Sequence, residues 1–143
     1  MSTTVQTEHR SSARSARSAE EIWALISEPA SWPGWNAAVA ELILDGPFAE
    51  GTTGTLTPPG GNPLDFRLLA VRPGQGYTSE TTIASTVRLR SSTTLEPEDG
   101  GGLLVTQHSR LVGPAAEHFA PAFGDALVSG VERTVGCLAG APA

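Results

Sequence analysis

Residues 115–138 read AAEHFAPAFGDALVSGVERTVGCL, and the spacing of their large apolar side chains decides the architecture. Phe119, Phe123, Leu127, Val131 and Val135 recur at every fourth position, while Glu117, Asp125 and Glu132 fall elsewhere on the helical wheel. That pattern is one long amphipathic helix with a single apolar stripe. Pro121 has no backbone N–H, so it fits in the first turn or produces a kink, which puts the expected start of regular helix near Ala120. A striped helix must bury its stripe against something, and the preceding chain offers one candidate surface.

That surface is a sheet. Between Val39 and Val112 the chain breaks into runs separated by Gly and Pro: Val39–Leu44, Gly51–Thr57, Leu64–Val71, Gly76–Ala84, Thr86–Leu95 and Leu103–Val112. Short runs with turn signals between them predict an antiparallel meander. Pro73-Gly74 suits a type II turn, and a two-residue loop there sets Arg67 opposite Glu80 and Phe66 opposite Thr81, with Arg67–Glu80 as a cross-strand ion pair. Towards the N-terminus, Val5 to Ala13 alternates with period two and reads as a further strand. Ser18 and Glu21 form a capping box ahead of Ile22, Trp23, Leu25 and Ile26, a helix of about ten residues that Pro29 stops. Trp32-Pro33-Gly34-Trp35 supports at most one helical turn.

The expected fold is therefore α+β: a curved antiparallel sheet of about seven strands wrapped around a long C-terminal helix, with two short helices after the first strand. One domain spans residues 1–143, since a chain of 143 residues buries roughly 68–70% of its unfolded surface. Nine Arg and no Lys stand against fifteen Asp plus Glu, a formal charge of −6. Without a cluster of basic residues, neither nucleic acid nor an anionic membrane is an expected partner. The N-terminus lacks an apolar signal core and no stretch reaches membrane-spanning length, so membrane insertion is not expected. The one cysteine, Cys137, cannot form an internal disulfide, and the expected location is cytoplasmic. Its neighbours Val135, Leu138 and Ala139 suggest a buried thiol. Gly100-Gly101-Gly102 is not followed by Lys and reads as a hairpin loop, not a phosphate loop.

Several segments resemble the START-related SRPBCC superfamily of helix-grip proteins, and within it the polyketide cyclase/dehydrase-like members. Ser18-Ala19-Glu20-Glu21-Ile22-Trp23 is similar to the opening of the family's first helix, with Arg17-Ser18 where Ala-Pro is usual. Trp32-Pro33-Gly34-Trp35-Asn36 resembles its second-helix corner, Asp45-Gly46-Pro47 to Gly51-Thr52 its first hairpin and Gly101-Gly102 its last. The resemblance implies a pocket for a hydrophobic small molecule and carries over no catalytic residue, because the family has no universal catalytic motif.

Strand alternation assigns the pocket wall independently of any family. Val87, Leu89 and Leu95 share a parity that carries Ser91 and Thr93 inward; Phe66 and Leu68 face Tyr77, Ser79, Thr81 and Ile83. In the last strand Val105 and Leu111 bring Gln107 and Ser109 inside, and in the first Val5 and Ala13 bring His9. So many inward polar groups need partners or a wet cavity, and a cavity is favoured. The expected ligand-binding set is Trp35, Phe66, Leu68, Thr81, Leu89, Ser91, Gln107, Phe119, Phe123 and Leu127. His9 and Tyr77 are the candidate acid/base groups, the first as a neutral imidazole and the second as a phenol donor. His9, His108 and His118 lack paired metal-ligand spacing, so no metal and no cofactor is expected. Three functions fit: cofactor-independent cyclase or dehydratase chemistry, a non-enzymatic carrier or sensor of a hydrophobic ligand, or a protein-interaction module with a filled cavity.

Overall fold

The computed structural model describes residues 8–36, 38–84, 87–114 and 116–140, without the side chains of 117–124. The elements run β1 Glu8–Ser15, α1 Ala19–Ile26, a 3-10 turn Pro29–Ser31, α2 Trp32–Trp35, β2 Glu41–Leu44, β3 Thr53–Thr57, β4 Leu64–Arg72, β5 Gly76–Ala84, β6 Val87–Pro97, β7 Leu103–Val112 and α3 Ala116–Ala139. They form the expected α+β helix-grip arrangement. All seven strands lie in one antiparallel sheet of order β1-β7-β6-β5-β4-β3-β2, a meander closed by β1 on the far side of β7. The chain between β1 and β2 therefore crosses from one edge of the sheet to the other, carrying α1 and α2 over one end of it.

Local chemistry explains where these helices begin. Ser18 Oγ accepts from the Glu21 N–H, and the Glu21 carboxylate accepts from the Ser18 N–H, both at 3.1 Å. Two donors that the helix leaves free are thus satisfied reciprocally. The aromatic corner holds one turn, as its Pro and Gly allow, and Trp32 Nε1 ties it back by donating to the Ile26 carbonyl at 2.7 Å.

The β4–β5 hairpin reaches the expected register by two departures that cancel. Its loop holds three residues, Pro73 to Gln75, since Arg72 lies opposite Gly76; Gly74 takes φ 75°, and the Gln75 N–H donates to the Arg72 carbonyl at 2.9 Å. The extra loop residue shifts the pairing by one, and an irregularity between Leu68 and Ala70 shifts it back, so Arg67 still faces Glu80 and Phe66 still faces Thr81. The expected Arg67–Glu80 ion pair does not form. Glu80 is equally opposite Arg90 on β6, and Arg90 Nη2 reaches it at 2.8 Å and Arg88 Nη1 at 3.4 Å. These arginines lie over the carboxylate, which is buried on the convex face.

α3 crosses the concave face over β1 and β7. It starts earlier than its sequence suggests, at Ala116, so Pro121 sits in the second turn and the Glu117 carbonyl goes without its intrahelical donor. Leu127, Val131 and Val135 are buried against the sheet as the stripe predicts, and Leu138 is buried beyond them. Cys137 is exposed, contrary to the expected buried thiol, because one residue step of about 100° turns it away from the side on which Leu138 is buried.

Candidate functional site: a neutral cavity between two halves of the core

Among the described residues, the buried apolar side chains fall into two clusters instead of one. The larger gathers around Trp32, Ile22, Phe66, Leu68 and Leu138; the smaller joins Val87, Leu111 and Leu127. Between them lies a cavity of about 300 Å³. α3 roofs it with Ala126, Leu127, Gly130, Val131 and Thr134, while Trp32, Val39, Leu56 and Pro58-Pro59 close the end next to α2. Strands β4 to β7 form the floor.

The floor is organised in cross-strand rows. Phe66, Thr81, Leu89 and Leu111 are successive partners in one row; Ser79, Ser91 and Ser109 make the next; Tyr77, Thr93 and Gln107 the third. Apolar side chains thus pass into a polar band towards α2, within a single continuous sheet. Ser91 and Ser109 are hydrogen-bonded to each other at 2.7 Å. Thr93 Oγ1 and Gln107 Oε1 are buried without a partner. Each such orphan costs about 1–3 kcal/mol.

Among the described residues, Tyr77 is the one titratable side chain on the cavity wall. Burial pushes its phenol well above the ordinary tyrosine range. The Thr93 hydroxyl opposes that shift weakly, from a position that falls short of full hydrogen-bond geometry. Tyr77 therefore remains a neutral donor throughout the physiological range. Its ring packs against Trp32 at 5.7 Å and Phe48 at 5.6 Å.

Of the residues expected at the site, Tyr77, Phe66, Thr81, Leu89, Ser91, Gln107 and Leu127 do line the cavity. Leu68 shares their strand face but is wholly enclosed in the larger cluster, away from the cavity. Trp35 is likewise a core residue. The single turn of α2 points Trp32 at the cavity and packs Trp35 behind it, ring centroids 4.8 Å apart and tilted by 55°, with Trp35 Nε1 donating to Ser31 Oγ. The side chains of Phe119 and Phe123 lie outside the described residues.

His9 lies away from the cavity. Its parity is as expected, opposite Ser109, but β1 runs beneath α3, and Glu132 takes both the His9 imidazole at 2.7 Å and the Ser11 hydroxyl at 2.8 Å. Those bonds hold the Glu132 carboxyl below its ordinary range, the His9 bond contributing most. His9 consequently fastens α3 to the sheet edge and is not part of the cavity wall. His108 pairs with Glu8 at 2.9 Å on the outer face. Of the wall residues not anticipated, Val131 belongs to the same i+4 stripe as Leu127 and was readable from it. Thr134, seven residues beyond Leu127, lies on that same helical face, whereas Trp32 and Pro58 enter the wall through tertiary approach alone.

A curved sheet gripping a long helix around a partly open cavity defines a helix-grip protein of the SRPBCC superfamily. The chain belongs to the polyketide cyclase / dehydrase and lipid transport family, whose profile matches residues 6–140. Solved structures share the fold at low identity. XoxI of Bacillus cereus is 19% identical with a TM-score of 0.68, covering 94% of both chains. A point mutant of norcoclaurine synthase from Thalictrum flavum, bound to a transition-state analogue, is 15% identical at TM-score 0.68, over 98% of this chain and 96% of that one. DynU16, from the dynemicin biosynthetic locus, is 16% identical at TM-score 0.69; the match covers 93% of this chain but 46% of DynU16, so the chain spans under half its length. A search among curated proteins gives no match. No helix of the described residues is long and apolar enough to cross a membrane.

Proposed function

We propose that this protein binds a compact, uncharged hydrophobic small molecule in the cavity between α3 and the sheet. The observation that carries this reading is the split core of the described residues: a domain of this size can close one continuous core, yet here largely apolar walls border a partly open space of about 300 Å³ into which uncharged polar groups project. Filled at protein packing density, that space accepts roughly 225 Å³ of ligand, the size of about two or three fused rings. Family membership supports the same reading.

Chemistry at this site would proceed by confinement and hydrogen bonding. Tyr77 is the group available to donate to a carbonyl or enolate oxygen, and His9 is engaged by Glu132 at the sheet edge. That arrangement favours binding and positioning over acid/base turnover, and so favours a carrier or sensor above a cyclase. The test is native mass spectrometry of the purified protein, with thermal shifts against polycyclic aromatics, sterols and fatty acids. Compact ring compounds are expected to stabilise the fold, by about 2.7 kcal/mol at a hundredfold excess over Kd. No copurified mass and no shift across the panel would refute the reading and leave a protein-interaction role.

A further inference from the structure

We infer that Gln107 makes the cavity selective for a ligand bearing a neutral hydroxyl group, and that carboxylates are rejected; this rests on the small-molecule reading above. Gln107 is 4% exposed and lines the cavity, yet its Oε1 has no partner in the protein. Two residues further along the same face of β7 is Ser109, bonded across the strands to Ser91. The two serine hydroxyls hold two protons between them and their mutual bond consumes one, which leaves one O–H to donate into the cavity. Alternate residues of a strand lie about 6.8 Å apart, and the glutamine side chain, two bonds longer than a serine, can take up part of that gap, which brings a single oxygen between Gln107 and the serine pair within reach of both.

A hydroxyl fits that position because it accepts from the serine O–H and donates to the glutamine oxygen. It also matches the Gln107 amide whichever way round the amide lies, since it both donates and accepts. A hydrocarbon of the same shape leaves Oε1 unpaired. A carboxylate has no proton for Oε1 and in the other amide orientation gains only a neutral N–H donor, while none of the described wall residues carries a positive charge to compensate its desolvation. The polar band thus discriminates between ligands of equal size, which the apolar wall cannot do.

Three naphthalenes substituted at the same position with hydroxyl, methyl or carboxylate test this directly, by titration into the full-length protein at neutral pH. Naphthol should bind about tenfold more tightly than methylnaphthalene, the weight of one buried hydrogen bond, with naphthoate the weakest of the three. Gln107→Met keeps the length of the side chain and should level naphthol with methylnaphthalene; removing both hydroxyls, Ser91→Ala together with Ser109→Ala, should weaken naphthol alone, since either serine by itself still has one O–H to donate. Should Gln107→Met fail to fold, the wild-type ranking and the double serine variant still decide. Equal binding of naphthol and methylnaphthalene, or preference for naphthoate, overturns the assignment to Gln107 while the cavity stands. Failure of all three to bind takes the cavity reading down with it.

Discussion

Gly130 offers a way to close the cavity from its roof. It lies in the middle of α3, lines the cavity, and an added Cβ there meets no heavy atom within 4 Å. Gly130→Ala removes an interior helical glycine without reaching far into the space, and should stabilise the fold by about 0.8–1 kcal/mol. Gly130→Leu gains nearly the same from the backbone and adds an apolar side chain beside the cavity. Burial of a leucine contributes about 1.5–3 kcal/mol, offset by about 0.5–1 kcal/mol of lost rotamer freedom. The expected total is near 2 kcal/mol, with the difference between the two variants isolating the cavity contribution. Urea denaturation of both variants measures it, alongside titration with a neutral polycyclic probe. Gly130→Leu should be the most stable form and the weakest binder, whereas Gly130→Ala keeps its affinity. A destabilised Gly130→Leu would mean that the roof is already packed. A stabilised variant with undiminished affinity would place the probe elsewhere on the molecule.

Three further outcomes follow from particular contacts. Trp32→Phe preserves a ring against Phe66 and Tyr77 but leaves the Ile26 carbonyl without the indole donor, so urea denaturation should show a loss of about 1–3 kcal/mol. Glu132 is held below its ordinary pKa of 4.5 in the folded state, chiefly by His9 and then Ser11. Its stabilising contribution is therefore present above that value and disappears as pH falls towards the lower folded one; urea midpoints should drop more steeply on acidification for the wild type than for Glu132→Gln. Cys137, exposed on the outer side of α3, should react with a thiol reagent in the native protein as readily as in urea, and strong native protection would contradict its placement.

Much of the molecule was legible residue by residue because the signals involved are local. The Ser18–Glu21 box, the single turn at Trp32–Trp35 and the i+4 stripe from Leu127 to Val135 each depend on interactions within about one or two helical turns. Strand parity reached further: it correctly turned Phe66, Thr81, Leu89, Ser91 and Gln107 towards α3, since alternation along a strand survives whatever the sheet does globally. Even the β4–β5 register emerged correctly, although it did so because the additional loop residue and the irregularity at Leu68–Ala70 compensate each other.

What parity could not decide is what stands opposite an inward side chain. Ser109 meets open cavity while its row partner His9 meets Glu132, a residue more than a hundred positions away. Leu68 and Phe66 share one face, but only the second borders the cavity. Trp32 and Trp35 are separated by a single helical turn, and the crossing of α2 over the sheet end chose between them. Glu80 took Arg90 over Arg67 although both are its register partners. Hydrogen bonding and periodicity along the chain set the elements, their order and which face of each is apolar, and all three can be read from the residues in order. Where the core divides and leaves a cavity depends on how far apart those elements come to rest, and no run of residues encodes that distance alone.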